Sequence, residues 1–137
     1  MFEGFDPEKV AKFTPAKIEK LLENPRIVRN RLKVNAVVVN AKAYLKLRES
    51  GRTLDDFLWR FVDPEKARRP IVNKWTEHGM APATTPESDA MSKALAKAGF
   101  KFVGSTSCYA LMQAVGMVND HLVTCPRYKV CVAAAKA

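Results

Sequence analysis

The feature of this sequence that most constrains its fold is a pattern that recurs along the chain. A residue that starts a helix is followed by apolar residues at helical spacing and then by a residue that ends the helix. Thr14 and Pro15 predict the start of one helix, because threonine caps a helix and proline fits its first turn, and Pro25 predicts its end. A long helix follows and ends at Gly51. Its apolar residues keep helical spacing: Val34, Val37, Val38, Ala41 and Leu45.

The second half of the chain repeats this order. Residues 53–62, TLDDFLWRFV, predict a helix capped by Thr53, with Phe57, Leu58 and Phe61 facing inward, and residues 64–84 predict a long irregular connection. Residues 85–99 predict a helix from the Thr-Pro pair to a closing glycine, and KFVG after it predicts a short extended segment. The stretch STSCYALMQAVG predicts an apolar helix begun by Ser105 or Ser107. With no strand-like alternation, the predicted class is all-α, in a single helical domain over residues 1–137.

Charge indicates the kind of partner. Lys and Arg number 23 against 14 Asp and Glu, which gives a net charge of +9. A domain this basic attracts polyanions, and nucleic acid is the first expectation, with acidic membranes or simple solubility as alternatives. No apolar run reaches the length of a membrane span, and the first residues do not resemble a secretory signal. We therefore expect a cytoplasmic protein whose three cysteines are reduced.

The segment LLENPRIVRNRLKV predicts two helices joined by a tight turn, about residues 14–49, which resembles a helix-hairpin-helix. Backbone N–H groups of such a hairpin hold phosphate, and flanking arginines bind neighbouring phosphates. The residues expected to do so are Arg26, Val28, Arg29, Asn30, Arg31 and Lys33. Such hairpins usually carry glycine where Arg26 stands, so Asn24 is expected to supply a left-handed residue. The alternative is a helical hairpin with a solvated basic face.

His121 and Cys125 have a spacing that can direct an imidazole and a thiolate at one metal ion. A structural zinc site needs four such ligands, and only Cys131 and His78 are further candidates. The alternative is a half-buried histidine beside ordinary cysteines. Asp120 either orients this segment or caps a turn. The nearby residues of GSTSCYALMQ are most simply helix caps and core, with Cys108 buried.

Two long stretches carry a family resemblance. Residues 88–125, SDAMSKALAKAGFKFVGSTSCYALMQAVGMVNDHLVTC, closely resemble the C-terminal half of bacterial DNA-3-methyladenine glycosylase I, and residues 5–47 resemble its helix-hairpin-helix part. The resemblance covers about residues 2–125. It implies an all-α helix-hairpin-helix glycosylase fold and a monofunctional base-excision repair enzyme that flips 3-methyladenine out of double-stranded alkylated DNA and hydrolyses its N-glycosidic bond.

The resemblance also implies roles for particular residues. His121 and Cys125 match two of the four ligands of a structural zinc, with the half-site and C-terminal helices spanning about residues 85–131. Ser105, Thr106 and Tyr109 lie where the family builds part of its base pocket. The family's first segment, which holds the other two zinc ligands, the acidic base-recognition residue and stacking aromatic residues, has no match here. We therefore expect a chain without its N-terminal segment, with loosely held zinc, weak or absent turnover and self-association, although full-length members are monomeric. The alternatives are a non-catalytic DNA-binding fragment, a degenerate copy, or a metal-dependent interaction domain.

Overall fold

The computed structural model describes residues 1–65 and 67–135, and helices dominate it. The helices are a 3₁₀ helix over Glu3–Phe5, then α1 Pro7–Val10, α2 Pro15–Leu22, α3 Arg31–Glu49, α4 Leu54–Trp59, α5 Pro86–Lys97, α6 Ser105–Ala114 and α7 Pro126–Ala134. The strands are β1 Ile71–Val72 and β2 Val118–Asn119. The predicted all-α class is confirmed. Within the described residues, no helix is both long and apolar enough to cross a membrane.

Side-chain caps account for several of the helix starts. The Thr14 hydroxyl accepts from the backbone N–H of Lys17 at 3.2 Å, and Thr85 Oγ1 accepts from that of Ser88 at 3.3 Å, so both predicted caps are confirmed. The predicted start of α6 at Ser105 is confirmed, although no side-chain cap forms there. Gly104 occupies the cap position with no side-chain bond, and Ser105 is the first helical residue. The Ser105 hydroxyl instead lies 2.7 Å from that of Ser88.

The described residues fall into two compact units, and the first comprises Met1–Leu54 and Ala94–Val103. Its core is built around α3, against which α1 and α2 pack. The buried residues of this core are Val10, Ile18, Leu21, Val34, Val38 and Ala41. The chain after α5 approaches α3 at Ala43. Gly99 adopts φ +95°, and a Cβ added to Gly99 would lie 3.8 Å from the Cβ of Ala43. The segment after α5 therefore runs close along α3.

The second unit comprises Asp55–Lys93 and the chain from Gly104 onward. Its buried side chains include Phe57, Met91, Tyr109 and Met112. Phe61, also predicted to face inward, follows the end of α4 and is partly buried, with its ring 5.9 Å from that of Phe57. Truncation of one of these buried methionines to alanine is expected to lower the free energy of unfolding by about 2–5 kcal/mol.

The irregular connection predicted for residues 64–84 contains one strand. In that connection β1 pairs in parallel with β2, with Ile71 opposite Val118. Two-residue strands are too short for alternating hydrophobicity to be seen, which is why the sequence did not predict them. The same connection is held by Asp63, whose carboxylate accepts from the Arg69 backbone N–H at 2.9 Å and from its guanidinium at 3.2 Å.

Candidate functional site

The turn between α2 and α3 is built by side-chain bonds to the backbone. Asn24 Oδ1 accepts from the backbone N–H of Arg26 at 2.9 Å, and the Asn30 N–H donates to the Val28 carbonyl at 2.8 Å. Asn24 is not among the described non-glycine residues that adopt a positive φ, so the prediction of a left-handed Asn24 is wrong. An asparagine side chain that mimics a backbone turn replaces the glycine that such hairpins usually carry.

The N-terminus of α3 is left open to an anion. Asn30 caps the helix, because its side chain accepts from the Lys33 N–H at 3.0 Å and its carbonyl accepts from the Val34 N–H at 2.9 Å. The first helical turn therefore keeps the N–H groups of Arg31 and Leu32 for an external acceptor. The partial positive charge of the helix N-terminus adds to their attraction for a phosphate.

The arginines of this turn are not equivalent. Arg26, Val28 and Arg29 are exposed, whereas the guanidinium of Arg31 is held by both carboxylate oxygens of Glu19, with Nη2 to Oε2 at 2.8 Å. The hydrogen bonds that Arg31 donates to Glu19 lower the pKa of Glu19 and raise the pKa of Arg31.

The charge of this region has one sign over a long stretch. Residues 24–48 contain seven basic residues and no acidic one. The seven are Arg26, Arg29, Arg31, Lys33, Lys42, Lys46 and Arg48. A phosphate backbone would therefore meet only basic charges from residues 24–48, although Glu19 of α2 pairs with Arg31 and Glu49 ends α3. Each residue predicted to contact the DNA backbone lies in the turn or in the first turn of α3, and its contact with DNA stays a prediction.

The predicted base-pocket residues lie in the first five residues of α6, in different environments. Ser105 is half-buried against Ser88, Thr106 is exposed, and Tyr109 is buried with its hydroxyl donating to Asp120 at 2.6 Å. Ser105 and Tyr109 are four residues apart and share a helix face, whereas Thr106 lies off that face. Of the three, the Thr106 hydroxyl is therefore the one directed toward solvent.

The polar centre of the second unit is Asp120, which the sequence did not identify as such. Its Oδ1 accepts from Asn73 Nδ2 at 2.6 Å and from Trp75 Nε1 at 2.8 Å. Its Oδ2 accepts from the Tyr109 hydroxyl and from Gln113 Nε2 at 2.9 Å. Burial raises the pKa of Asp120, but these hydrogen bonds outweigh it, so its pKa lies below the ordinary value. Burial and the Asp120 carboxylate raise the pKa of Tyr109.

Asp120 also lines a cavity of about 700 Å³ in the second unit. Among the other lining residues are Trp59, Arg68, Gln113, His121 and Cys131. The size suits a small ring compound, and carboxylate, amide and indole groups are present. Ser105, Thr106 and Tyr109 are not among the described residues that line it, although the Tyr109 hydroxyl donates to Asp120, which does.

His121 and Cys125 are brought together as the spacing predicts. His121 Nδ1 lies 3.8 Å from Cys125 Sγ. Two ligands of one tetrahedral zinc ion lie about 3.5 Å apart, so the pair fits one edge of such a site. In the described part of the chain, no three His, Cys, Asp or Glu side chains cluster for a metal. The predicted additions of Cys131 and His78 therefore do not complete the site.

Comparison with known proteins places this geometry among glycosylases. The family model described as methyladenine glycosylase matches residues 1–128. DNA-3-methyladenine glycosylase of Haemophilus influenzae is 46% identical over 125 residues, covering 91% of this chain and 65% of the relative. DNA-3-methyladenine glycosylase 1 of Escherichia coli is 46% identical over 127 residues, covering 93% of this chain and 66% of the relative. The chain thus spans just under two thirds of the length of these relatives.

Solved structures agree with the sequence matches. A crystal structure of 3-methyladenine DNA glycosylase I superposes with a TM-score of 0.86 at 43% identity, covering 91% of this chain and 66% of that one. A structure described as the basis of 3-methyladenine recognition by the Staphylococcus aureus enzyme superposes with a TM-score of 0.83 at 32% identity, covering 91% of this chain and 64% of that one. The predicted fold is therefore confirmed.

Proposed function

Because the chain belongs to the methyladenine glycosylase family, we propose that it serves base-excision repair as a DNA glycosylase for 3-methyladenine. The substrate is double-stranded alkylated DNA, from which the damaged nucleotide is flipped and its N-glycosidic bond hydrolysed. The observation that carries this proposal is the one-sign basic stretch of residues 24–48 beside a helix N-terminus with two unused N–H groups. Since DNA is the substrate, we expect the protein to act in the cytoplasm.

The α2–α3 turn is proposed to hold one strand of the duplex. The N–H groups at the start of α3 bind one phosphate, while the side chains of Arg26, Arg29 and Lys33 bind its neighbours. Val28 and Asn30 contribute through their position in the turn, where Asn30 fixes the first helical residues by capping them. These contacts orient the duplex without reading its sequence.

The reaction requires little acid catalysis from the protein. A 3-methylated adenine carries positive charge, so it departs as a neutral base once the glycosidic bond breaks. The protein has to extrude the nucleotide, exclude ordinary adenine and place a water molecule. We propose that Thr106 contacts the extruded nucleotide, and that Ser105 and Tyr109 shape the pocket wall through their bonds to Ser88 and Asp120.

Release of the free base tests the activity. Duplex DNA carrying labelled 3-methyladenine would be incubated with these 137 residues, and with the same residues extended by the part of the E. coli relative that they do not cover. The extended form is expected to release 3-methyladenine and leave abasic sites, whereas the 137 residues alone should turn over slowly. The full E. coli relative is the positive control. If the extended form folds and binds DNA yet releases no base, the protein is a DNA-binding module and the enzyme assignment is wrong.

Zinc is proposed as a structural ion held by His121 and Cys125 as two of its ligands. Its role would be to tie the segment between β2 and α7 in place, because thiolate and imidazole are the ligands that structural zinc prefers. Elemental analysis of the purified 137 residues should give less than one zinc per chain, removable by a mild chelator. Cys125→Ser should lower that content further, whereas Cys108→Ser, at a buried thiol, should not. One tightly held zinc per monomer, or equal zinc in both variants, would contradict the assignment.

A further inference from the structure

The protein itself occupies every hydrogen-bonding position of the Asp120 carboxylate. Each carboxylate oxygen accepts two hydrogen bonds, and the donors include the Trp75 indole, the Tyr109 hydroxyl and the Gln113 side-chain amide. A carboxylate offers about four acceptor positions, so none is left for a ligand. Asp120 lines the cavity of the second unit, and it therefore acts on the contents of that cavity through the groups that it holds.

The side-chain amide of Gln113 has one orientation because of this carboxylate. Its Nε2 donates to Asp120 Oδ2 at 2.9 Å. If the amide were turned round, Gln113 Oε1 would face an oxygen that accepts and does not donate, and two facing acceptors repel each other. Gln113 is exposed and lines the cavity. Among the described residues, Gln113 Oε1 receives no hydrogen bond, so it is available as an acceptor at the cavity wall.

Two further polar side chains of the cavity are already paired. The Asn119 side chain donates to the Tyr128 carbonyl at 3.2 Å and accepts from the backbone N–H of His121 at 3.2 Å. The Arg68 guanidinium is held by two carboxylates of α4. Other parts of the wall are apolar and include the Trp59 indole with several valine and alanine side chains. An unpaired amide oxygen in such a wall suits a flat ring that carries an N–H donor on its edge.

We propose that Gln113 selects the base in the proposed reaction, because its fixed Oε1 accepts a hydrogen bond from the 6-amino group of 3-methyladenine in this cavity. Asp120 acts as a positioning residue, since it orients the Gln113 amide without contacting the base. A 6-oxopurine presents an oxygen at the same place, and the site rejects it because two acceptors then face each other. The inference rests on the proposed function and deepens it, since it names the residue that distinguishes an aminopurine from an oxopurine.

Free bases test this selection on the 137 residues themselves. Gln113 is the only glutamine in the chain, so its side-chain NH2 signals in a ¹⁵N–¹H correlation spectrum report on the site. Addition of 3-methyladenine should shift these signals. The Kd for 3-methyladenine should be about fivefold lower than that for 3-methylhypoxanthine, which has an oxygen at position 6, because one hydrogen bond made partly in solvent contributes on this scale.

Gln113→Met removes the amide and keeps an unbranched side chain at an exposed position, so the fold should be unaffected. The variant should bind 3-methyladenine about fivefold more weakly than the wild-type protein does and should bind the two bases equally. Its binding can be followed on the backbone N–H signal of Gly116, which also lines the cavity. Leu111→Met is the matched control. Leu111 is exposed on α6 and is not among the described residues that line the cavity, so this variant should keep the wild-type preference.

Asp120→Asn tests the positioning role. Asparagine has nearly the same size as aspartate, but its Nδ2 can donate, so the Gln113 amide can turn round and direct Oε1 toward it. Gln113 Nε2 then faces the cavity, and the preference should reverse in favour of 3-methylhypoxanthine. A role of Asp120 in folding alone would weaken the binding of both bases equally and would not reverse their order. If Asp120→Asn does not fold, Gln113→Met decides the question alone.

The outcomes separate this inference from the function on which it rests. Equal affinity of the wild-type protein for the two bases, no shift of the Gln113 signals, or wild-type selectivity in Gln113→Met would overturn the assignment of Gln113. Release of 3-methyladenine from DNA by the extended form would still support the proposed function in that case. If the extended form releases no base although the 137 residues prefer 3-methyladenine, the enzyme assignment is wrong and Gln113 remains the residue that selects the purine.

Discussion

Replacing Glu19 with glutamine should tighten DNA binding. In the structure, both carboxylate oxygens of Glu19 hold the guanidinium of Arg31, which lies in the first turn of α3 beside the proposed phosphate site. The ion pair therefore competes with DNA for this arginine. A neutral amide at position 19 cannot hold Arg31 in two charge-assisted bonds, so the guanidinium becomes available to a phosphate.

The magnitude follows from counterion release. One further phosphate contact steepens the slope of log K against log salt by about 0.9. With 1 M salt as the point where this contribution vanishes, the gain in affinity is about fivefold at 0.15 M and about fifteenfold at 50 mM. These are upper limits, because the freed side chain also loses rotational freedom when it binds DNA.

The assay is fluorescence anisotropy of a labelled duplex at several salt concentrations, with the Glu23→Gln variant as the matched control. Glu23 caps the same helix, and its replacement changes the net charge equally without freeing Arg31. Only Glu19→Gln should steepen the slope of log K against log salt by the full amount. Arg31→Gln should lose less affinity for DNA than Arg29→Gln. Equal shifts in the Glu19 and Glu23 variants would mean that overall charge, and not release of Arg31, sets the affinity. A weaker Glu19 variant would refute the reasoning.

Local chemistry explains what the sequence could predict. The caps at Thr14 and Thr85 depend on a hydroxyl and an N–H group three residues apart, so the residues themselves are sufficient evidence. The basic turn was predictable for the same reason, since its charges and its cap are contiguous in the chain. His121 and Cys125 also lie close together because one turn separates them.

What the sequence could not predict depends on distant residues. Asn73 and Trp75 donate to Asp120 from 47 and 45 residues away, and β1 pairs with β2 across the same separation. The backbone that precedes Phe102 also has a distant partner, because the Lys101 N–H donates to Asn40, 61 residues away. Helix α7 was missed because its cap position holds Cys125, which makes no side-chain cap bond, and none of its residues is buried. The Asp120 cluster and the strand pair, by contrast, follow from tertiary contacts that no local spacing encodes.

Two further variants examine the second unit. Tyr109→Phe removes one of four donors to Asp120. The free energy of unfolding in urea should therefore fall by about 1.5 kcal/mol, the low end for a hydrogen bond to a charged group. An unchanged urea midpoint would contradict a stabilising role of the hydrogen bonds to Asp120. Asp63→Asn tests the Arg69 clamp, because hydrogen bonds from the Arg69 side chain and backbone lower the pKa of Asp63 in the folded protein. A lowered folded pKa stabilises the protein above the unfolded value of about 3.9, and this contribution is lost as the pH falls through the folded value. Between neutral pH and about pH 3, the urea midpoint of the wild-type protein should therefore fall by more than that of Asp63→Asn. Parallel pH profiles would show that the bonds between Asp63 and Arg69 do not stabilise the fold.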